Sequence, residues 1–329
     1  TGRTRNSVTA PITTKGARVR RGFTMTAILE SNLSTDLRLA QMIEAEIRMI
    51  LADTASIRNT GAVAFLGDVA GIGSDTLQLR LAGLNGTDEM ASTAENADAS
   101  TTALTDSSVT VTAARYALRR DISDLAVMTG MGADIDPFKL AESMVASFEA
   151  AFMSALSTSI ASFSSSAGTS GVDCSVDDWM DAIATLELAS VPGPYYAMIH
   201  PRQLADLQES LRSESGPLSF APASAEQIKI QGPGAAGNFL GVDIFQSSKV
   251  TSSGGNRKGA IFGAGALGYV VGTPKPLAGA GGEVRPAGSP VVVEFQRDAS
   301  AALTEVVGHA YFGCAIVENS RGVLLSTDA

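Results

Sequence analysis

Along the chain, apolar positions first recur at helical spacing. From Ser34 to Ile50, Leu37, Ala40, Ile43, Ile47 and Ile50 follow a capping serine, and Arg38, Glu44, Glu46 and Arg48 occupy the other face. This predicts an amphipathic helix. Between Asp75 and Gly83 the period drops to two: Leu77, Leu79 and Leu81 alternate with Gln78 and Arg80. Further on, Val109, Val111 and Ala113 alternate with Thr110 and Thr112. Both patterns predict strands. Leu84 to Ser108 between them is rich in Asn, Asp, Ser, Thr, Ala and Gly, with little to bury, and so forms the tip of a long projecting hairpin.

The clearest helix begins at Asp136-Pro137, an N-cap followed by the residue suited to the first helical position. It runs without Gly or Pro to about Phe163, with Phe138, Ala141, Val145, Phe148, Phe152, Leu156, Ile160 and Phe163 as its apolar stripe. That is a rod of roughly 40 Å, a structural spine. Small residues from Ser162 to Gly171 end it and mark a boundary between sub-domains. Val176 to Leu188 then reads as helix, Tyr195 to His200 as buried strand, and Pro201 to Arg212 as helix. Ser213 to Gly241 is rich in Pro, Gly and Ala, and short apolar pieces follow at Val242 to Phe245 and Ala260 to Phe262. The end is strand-like: Val291 to Phe295, Leu303 to Phe312, Ala315 to Val317 and Val323 to Leu325, joined by turn residues. The class is α+β, with the spine helix packed on the terminal strands.

Composition changes this picture in one respect. With 45% hydrophobic residues the chain of 329 can bury a full core, yet only 18% are charged and 5% aromatic, so much of its surface is small and weakly polar. Such a surface suits close contact with neighbours. Charge is unevenly placed: residues 1–29 carry Arg3, Arg5, Lys15, Arg18, Arg20 and Arg21 and no acid, so this +6 arm leaves −16 on the rest of a chain whose net charge is −10. A basic tail of this kind binds nucleic acid or acidic faces of other copies, or stays solvated. It lacks the aromatic interleaving of a base-stacking surface. Cys174 and Cys314 are too few for a disulfide framework or zinc cluster and are expected reduced and buried. No run is long enough to span a membrane, and the basic start lacks a signal peptide's apolar core, which points to cytoplasmic synthesis without export. Thr1 fits removal of an initiating Met or of a longer pro-segment.

The chain carries little recognisable chemistry. Gly263-Ala-Gly265-Ala-Leu-Gly268 spells GxGxxG, but Tyr269-Val-Val-Gly272-Thr-Pro274 after it is extended, whereas a dinucleotide loop must open a helix. Gly254 to Gly259 lacks the Gly-Lys-Ser/Thr order of a phosphate loop and suits a surface turn. His200 and His309 lie in apolar strands with no ligand at metal spacing, no GxSxG elbow occurs, and Asp177, Asp178 and Asp181 open a helix whose dipole explains them. No catalytic, cofactor-binding or metal residue is assigned.

The order of basic arm, hairpin with small-residue tip, spine helix, α/β middle and β-rich end resembles the major capsid proteins of tailed double-stranded DNA bacteriophages, of the Hong Kong 97 fold. Tyr195-Tyr-Ala-Met-Ile-His200-Pro201-Arg-Gln-Leu-Ala-Asp-Leu207 is similar to that family's strand leading into a Pro-started helix. Gly259 to Gly268, Val306 to Val317 and Arg321-Gly-Val-Leu324 resemble its closing strands.

The resemblance implies an N-terminal arm (1–33), a helix and connection (34–69), an extended loop (70–122), a peripheral domain (123–170 and 285–329) and an axial domain (171–284). It implies pentamers and hexamers of an icosahedral shell around phage DNA, with the loop lying over one neighbour and the arm reaching another. Candidate intersubunit contacts are then the six arm cations, Leu77, Leu79 and Leu81 on the loop, Arg115, Arg119, Arg120 and Asp121 at its base, and Arg297 and Asp298 at a turn; solvated charges are the alternative for the ionic ones. Residues 70–122 contain no lysine, so the covalent lock of some shells of this fold is absent and a non-covalent shell is expected. Portal, decoration or scaffolding proteins and packaged DNA are the implied partners, with no cofactor and no membrane. The rival readings are an encapsulin-type compartment of the same fold and an α/β enzyme, which a pocket with converging perturbed groups would reveal.

Overall fold

In a computed structural model of the chain, the described residues are 43, 45–47, 49–50, 57–70, 72–81, 92–98, 107–129, 137–213, 221–222, 235–273 and 291–328. The basic arm, most of the hairpin tip and the start of the first helix lie outside them. Helix α1 holds Ile43, Ala45, Glu46, Ile47, Met49 and Ile50. A 3-10 turn at Ile57–Asn59 leads to β1 (Val63–Asp68), β2 (Thr76–Leu81), β3 (Ser107–Thr112), β4 (Ala114–Ser123), α2 (Asp124–Met128) and α3 (Pro137–Ile160). Then come β5 (Ser165–Ala167), α4 (Val176–Leu188), β6 (Tyr195–Ile199) and α5 (Pro201–Ser213). Strands β7 (Ala221–Pro222), β8 (Ala235–Phe239), β9 (Val242–Gln246), β10 (Ser252–Ser253), β11 (Asn256–Gly263), β12 (Leu267–Val271), β13 (Val291–Asp298), β14 (Leu303–Ile316) and β15 (Gly322–Asp328) follow.

The strands form two main sheets. In the five-stranded sheet the order is β1-β12-β14-β13, with β4 also on β14. In the eight-stranded sheet it is β5-β15-β11-β6-β9-β8-β7, with β10 on β11. The hairpin β2–β3 belongs to neither, pairing only with itself from Thr76↔Thr112 to Leu81↔Ser107.

One antiparallel ribbon runs through both sheets. It pairs β11 with β15 from Asn256↔Asp328 to Phe262↔Gly322, breaks, and resumes as β12 with β14 from Leu267↔Ile316 to Val271↔Phe312. At the break the amides of Val317 and Glu318 both donate to Ala266 O, at 2.8 and 3.3 Å, and Arg321 donates to Ala264 O at 3.3 Å. The GxGxxG run is this elbow. Gly265 has φ +79°, a Cβ on Gly263 would sit 2.6 Å from Val191, and one on Gly268 would sit 2.5 Å from Leu66. Its glycines are therefore required by turn geometry and close packing, not by a phosphate.

Helix α3 lies against both sheets. Its 24 residues make a rod of about 36 Å. Pro137 sits in the first turn, where its missing N–H has no intrahelical partner to lose. Phe148 and Phe152 meet Phe312 edge-on and tilted at 5.4 and 5.8 Å, and Phe152 meets Tyr269 edge-on at 5.4 Å, which fixes the helix on the five-stranded sheet. Further along, Ser157 Oγ accepts from Thr251 N at 2.6 Å, and the Phe163 ring lies where any Gly322 side chain would be. The same core takes Ile43 and Ile47 of α1, so the amphipathic pattern there is borne out where the helix is described.

The eight-stranded sheet is buried on both faces. Tyr196, Met198, Phe245, Phe262 and Leu324 join the core around α3, while Ala197, Ile199, Ile244, Ile261, Val323 and Leu325 join a second core under α4 and α5. Hence strands such as Tyr195–Ile199 are continuously apolar. On α4, Ser175 and Asp178 form a reciprocal capping box, and Trp179 and Leu186 are wholly buried. On α5, fully buried Gln203 accepts from His200 N and donates to Arg257 O, Leu325 O and Thr327 Oγ1, stitching the helix to the ribbon.

The ribbon crosses between the sheets, so that β12 lies in the five-stranded sheet and β15 in the eight-stranded one. Two expectations need correction. Residues Arg115 to Asp121 are not merely a hairpin base; they lie in a ten-residue strand whose Tyr116, Leu118 and Ile122 pack on the α3 core. Finally, Leu303 to Ile316 is one unbroken strand, with no turn at Gly313. Gly313 is instead where the chain between β3 and β4 passes so close that a Cβ would lie 2.0 Å from Thr112 O.

Gly313→Ala should accordingly lower the unfolding free energy by about 1–3 kcal/mol, as overpacking does. Phe152→Ala should cost about 3–5 kcal/mol through the cavity it opens. Denaturant melts of the dissociated subunit measure both; wild-type stability of Gly313→Ala would show that the two chain segments separate freely.

Candidate subunit-interaction surfaces

At one end of the five-stranded sheet, strand register gathers a cluster of charges. Asp121 is paired with Glu305 across β4 and β14, and Arg297 with Thr304 across β13 and β14. Arg119 reaches Asp121 at 2.6 Å and Glu305 at 2.7 Å, and Arg297 reaches Asp124, at the start of α2, at 2.5 Å. Asp298 closes the following turn, accepting from Ser300 N, Ser300 Oγ and Ala301 N. Arg115 lies 3.2 Å from His309 Nδ1, and Arg120 donates to Ser143 Oγ on α3 at 3.2 Å. Of the sequence-predicted ionic residues, Arg119, Asp121, Arg297 and Asp298 thus come together, whereas Arg115 and Arg120 lie apart at His309 and on α3; each has a partner inside its own chain. Pairs this exposed contribute little to stability singly.

Their acidity follows from those partners. The Arg119 hydrogen bond holds the Asp121 carboxyl below its ordinary value, the Arg297 hydrogen bond does the same for Asp124, and the Ser300 hydrogen bonds do so for Asp298. Asp206 on α5 is the opposite case. Its side chain is 4% exposed, its Oδ1 lies 3.1 Å from exposed Arg202, and burial pushes its carboxyl up. Burial also pushes the free thiols of Cys174 and Cys314 up to about 12, so neither is a reactive thiolate near neutral pH.

On the hairpin, Leu77↔Val111 and Leu79↔Val109 form cross-strand pairs on one face. Val111 is buried, while Leu77, Leu79 and Val109 remain partly exposed. Leu81 ends β2, and its side chain lies outside the described residues, as do the six arm cations. The Gly254-Gly255 turn joins β10 to β11 with both φ values positive, a two-residue hairpin, which accounts for that glycine pair.

A cavity of about 230 Å³ opens between α3 and the five-stranded sheet. Its walls are largely apolar, from Leu118, Met144, Phe148, Phe312 and the open backbone at Gly308, with Tyr116 and His309 as its titratable members. Sequence reading did not find it, because it is assembled from three strands and a helix. Among the described residues no group of His, Cys, Asp and Glu could hold a metal ion, and no helix is long and apolar enough to cross a membrane.

A long helix laid across two sheets, with a hairpin outside both, is the Hong Kong 97-type capsid fold. A structure from Mycobacterium phage Che8 is similar with TM-score 0.53 and 16% identity, covering 83% of this chain and 92% of its own. The capsid of a native GTA particle gives TM-score 0.54, 12% identity and coverage of 83% and 92%. The SrpI encapsulin of Synechococcus elongatus gives TM-score 0.56, 12% identity and coverage of 81% and 85%. At such identities the likeness speaks for the fold alone. A search of curated proteins gives no significant match. The family itself is shown by sequence: a model described as phage capsid protein matches residues 105–326, about two thirds of the chain, and the chain belongs to that family.

The acidity pattern has a sign. For Asp121, Asp124 and Asp298 the folded carboxyl is more acidic than the unfolded one, so their contribution is present above about pH 4 and is lost as pH falls through the lowered values. For Asp206 the folded value is raised, so the folded state takes up a proton first, and its ionisation weakens stability as pH rises through that value. Carboxyl NMR titration should place the first three midpoints below, and that of Asp206 above, the ordinary aspartate value. The reverse order would contradict the pairing described.

Proposed function

We propose that this protein is a major capsid protein that assembles with its own copies into the pentamers and hexamers of an icosahedral shell enclosing phage double-stranded DNA, held together without cross-links. The observation that carries this reading is the β2–β3 hairpin. A two-stranded sheet is marginal by itself in water, and this one joins neither main sheet and leaves Leu77 and Leu79 partly exposed. Laid over an adjacent subunit, those leucines would be buried, and the arm would extend the overlap to another copy. Shell stability would then be a sum of large interfaces, inseparable from assembly.

The protein acts as building material and performs no catalysis. The thiols are unreactive, Arg119 and Arg297 are paired with acids within the chain, and the GxGxxG run is an elbow. Packaged DNA is a neighbour by proximity, since a body of charge −16 does not bind phosphates tightly. A portal and, in some assemblies, scaffolding or decoration proteins complete the partner set. The likeness to the SrpI encapsulin keeps a compartment that encloses protein as the second reading; the contents of shells isolated from infected cells separate the two.

Expressed alone, the full chain should sediment as closed shells or capsomers, and boiled shells should run as one monomer-sized band, because residues 70–122 hold no lysine. A ladder of linked subunits would refute the non-covalent lock. Deleting residues 1–29 should leave a folded subunit with impaired assembly; normal shells from that truncation would remove the arm from the account.

A further inference from the structure

Close packing is the rule in protein interiors, and voids larger than a water molecule are few. The cavity of about 230 Å³ between α3 and the five-stranded sheet is such a void. Small residues keep it open: Ala151 on α3, Ala310 on β14, and Gly308, where even a Cβ would come within 3.3 Å of Met144 Sδ. Three rings already in contact stand around it, Tyr116 stacked on Phe312 at 4.1 Å and Phe148 edge-on to Phe312 at 5.4 Å.

Most polar groups at its walls are engaged elsewhere. Ser147 Oγ donates to Ser143 O at 2.8 Å, and the His309 ring lies 3.2 Å from Arg115 and 3.7 Å from Glu294. The hydroxyl of half-buried Tyr116 has no hydrogen-bond partner among the described residues. No Lys, Arg, Asp or Glu lines the cavity, so a charged ligand would lose its hydration there without compensation. An apolar cavity of about 150 Å³ takes benzene, and in proportion this one takes a molecule of about nine non-hydrogen atoms.

We propose that this cavity is a binding site for a small uncharged aromatic molecule, about the size of indole, whose single polar group meets the Tyr116 hydroxyl. Phe148 and Phe312 supply ring edges and faces, and Met144 a polarisable sulfur, the surroundings that an aromatic ring prefers. Bound there, the molecule fills the gap between α3 and the strands β4 and β14 and ties the helix more tightly to the sheet. The site lies within one subunit and does not depend on the shell reading.

The test uses indole and the dissociated subunit of the full chain. Calorimetric titration should show a single saturable site, and indole at about ten times its dissociation constant should raise the melting temperature by about 2 °C. Ala151→Leu and Ser147→Leu each place a larger side chain in the space from α3; both should keep the wild-type circular dichroism and weaken indole binding by about tenfold or more. Tyr116→Phe should weaken indole about fivefold and leave benzene binding unchanged, a difference that general loosening of the fold would not produce. In wild type, indole protons should show nuclear Overhauser contacts to the Met144 methyl. Absence of saturable binding, contacts to another part of the chain, or undiminished binding in both leucine variants would overturn the site. Equal weakening of indole and benzene by Tyr116→Phe would overturn the role given to its hydroxyl.

Discussion

One antiparallel ribbon, β11 with β15 and then β12 with β14, gives each sheet one of its strand pairs, so that the two sheets are joined through the elbow between the pairs. A break in the ribbon would ordinarily be a weak point. Here the amides of Val317 and Glu318 and the Arg321 side chain hydrogen-bond to the Ala264 to Ala266 backbone across it, and Phe152 of α3 and Phe163 just beyond its end pack against the two sides. The body is thereby braced twice, by strands through its middle and by a helix along its length.

That bracing explains where the chain can afford exposed apolar surface. Packing within the subunit is satisfied by two cores, one around α3 and one beneath α4 and α5, and apolar surface left outside them includes the β2–β3 hairpin, Phe65 of β1, Leu125 and Met128 of α2, and the outward face of α4. The hairpin pairs with neither main sheet and so stands out from a stiff support. Interfaces built on stiff supports lose less conformational entropy when they form, which suits an assembly made of many identical contacts.

Much of this was legible in the chain. The 3.6-residue stripe from Ala141 to Ile160, with Pro137 at its start, set out α3, and the alternation of Leu77, Leu79 and Leu81 set out the hairpin, since each element's buried face depends on its own period. What was not legible depended on other parts of the chain. Gly313 in isolation is a turn residue; only the passage of Thr112 over it makes it a strand residue. The Arg-rich stretch from Arg115 to Asp121 looked like a charged surface because its apolar neighbours Tyr116, Leu118 and Ile122 are separated by charges, of which Arg119 finds Glu305 of β14 far along the chain. The crossing of β12 and β15 between sheets leaves no mark on periodicity at all, and only the glycines of the elbow hinted at it.

A doubly braced subunit of this kind would present its hairpin to a neighbour. A cryo-electron microscopy reconstruction of shells assembled from the full chain tests it directly. The expected result is that residues 76–112 of one subunit lie on the body of the next, with Leu77 and Leu79 covered there and the two sheets unchanged in their pairing. A shell in which the hairpin folds back on its own five-stranded sheet, with no neighbour touching Leu77 or Leu79, would contradict it.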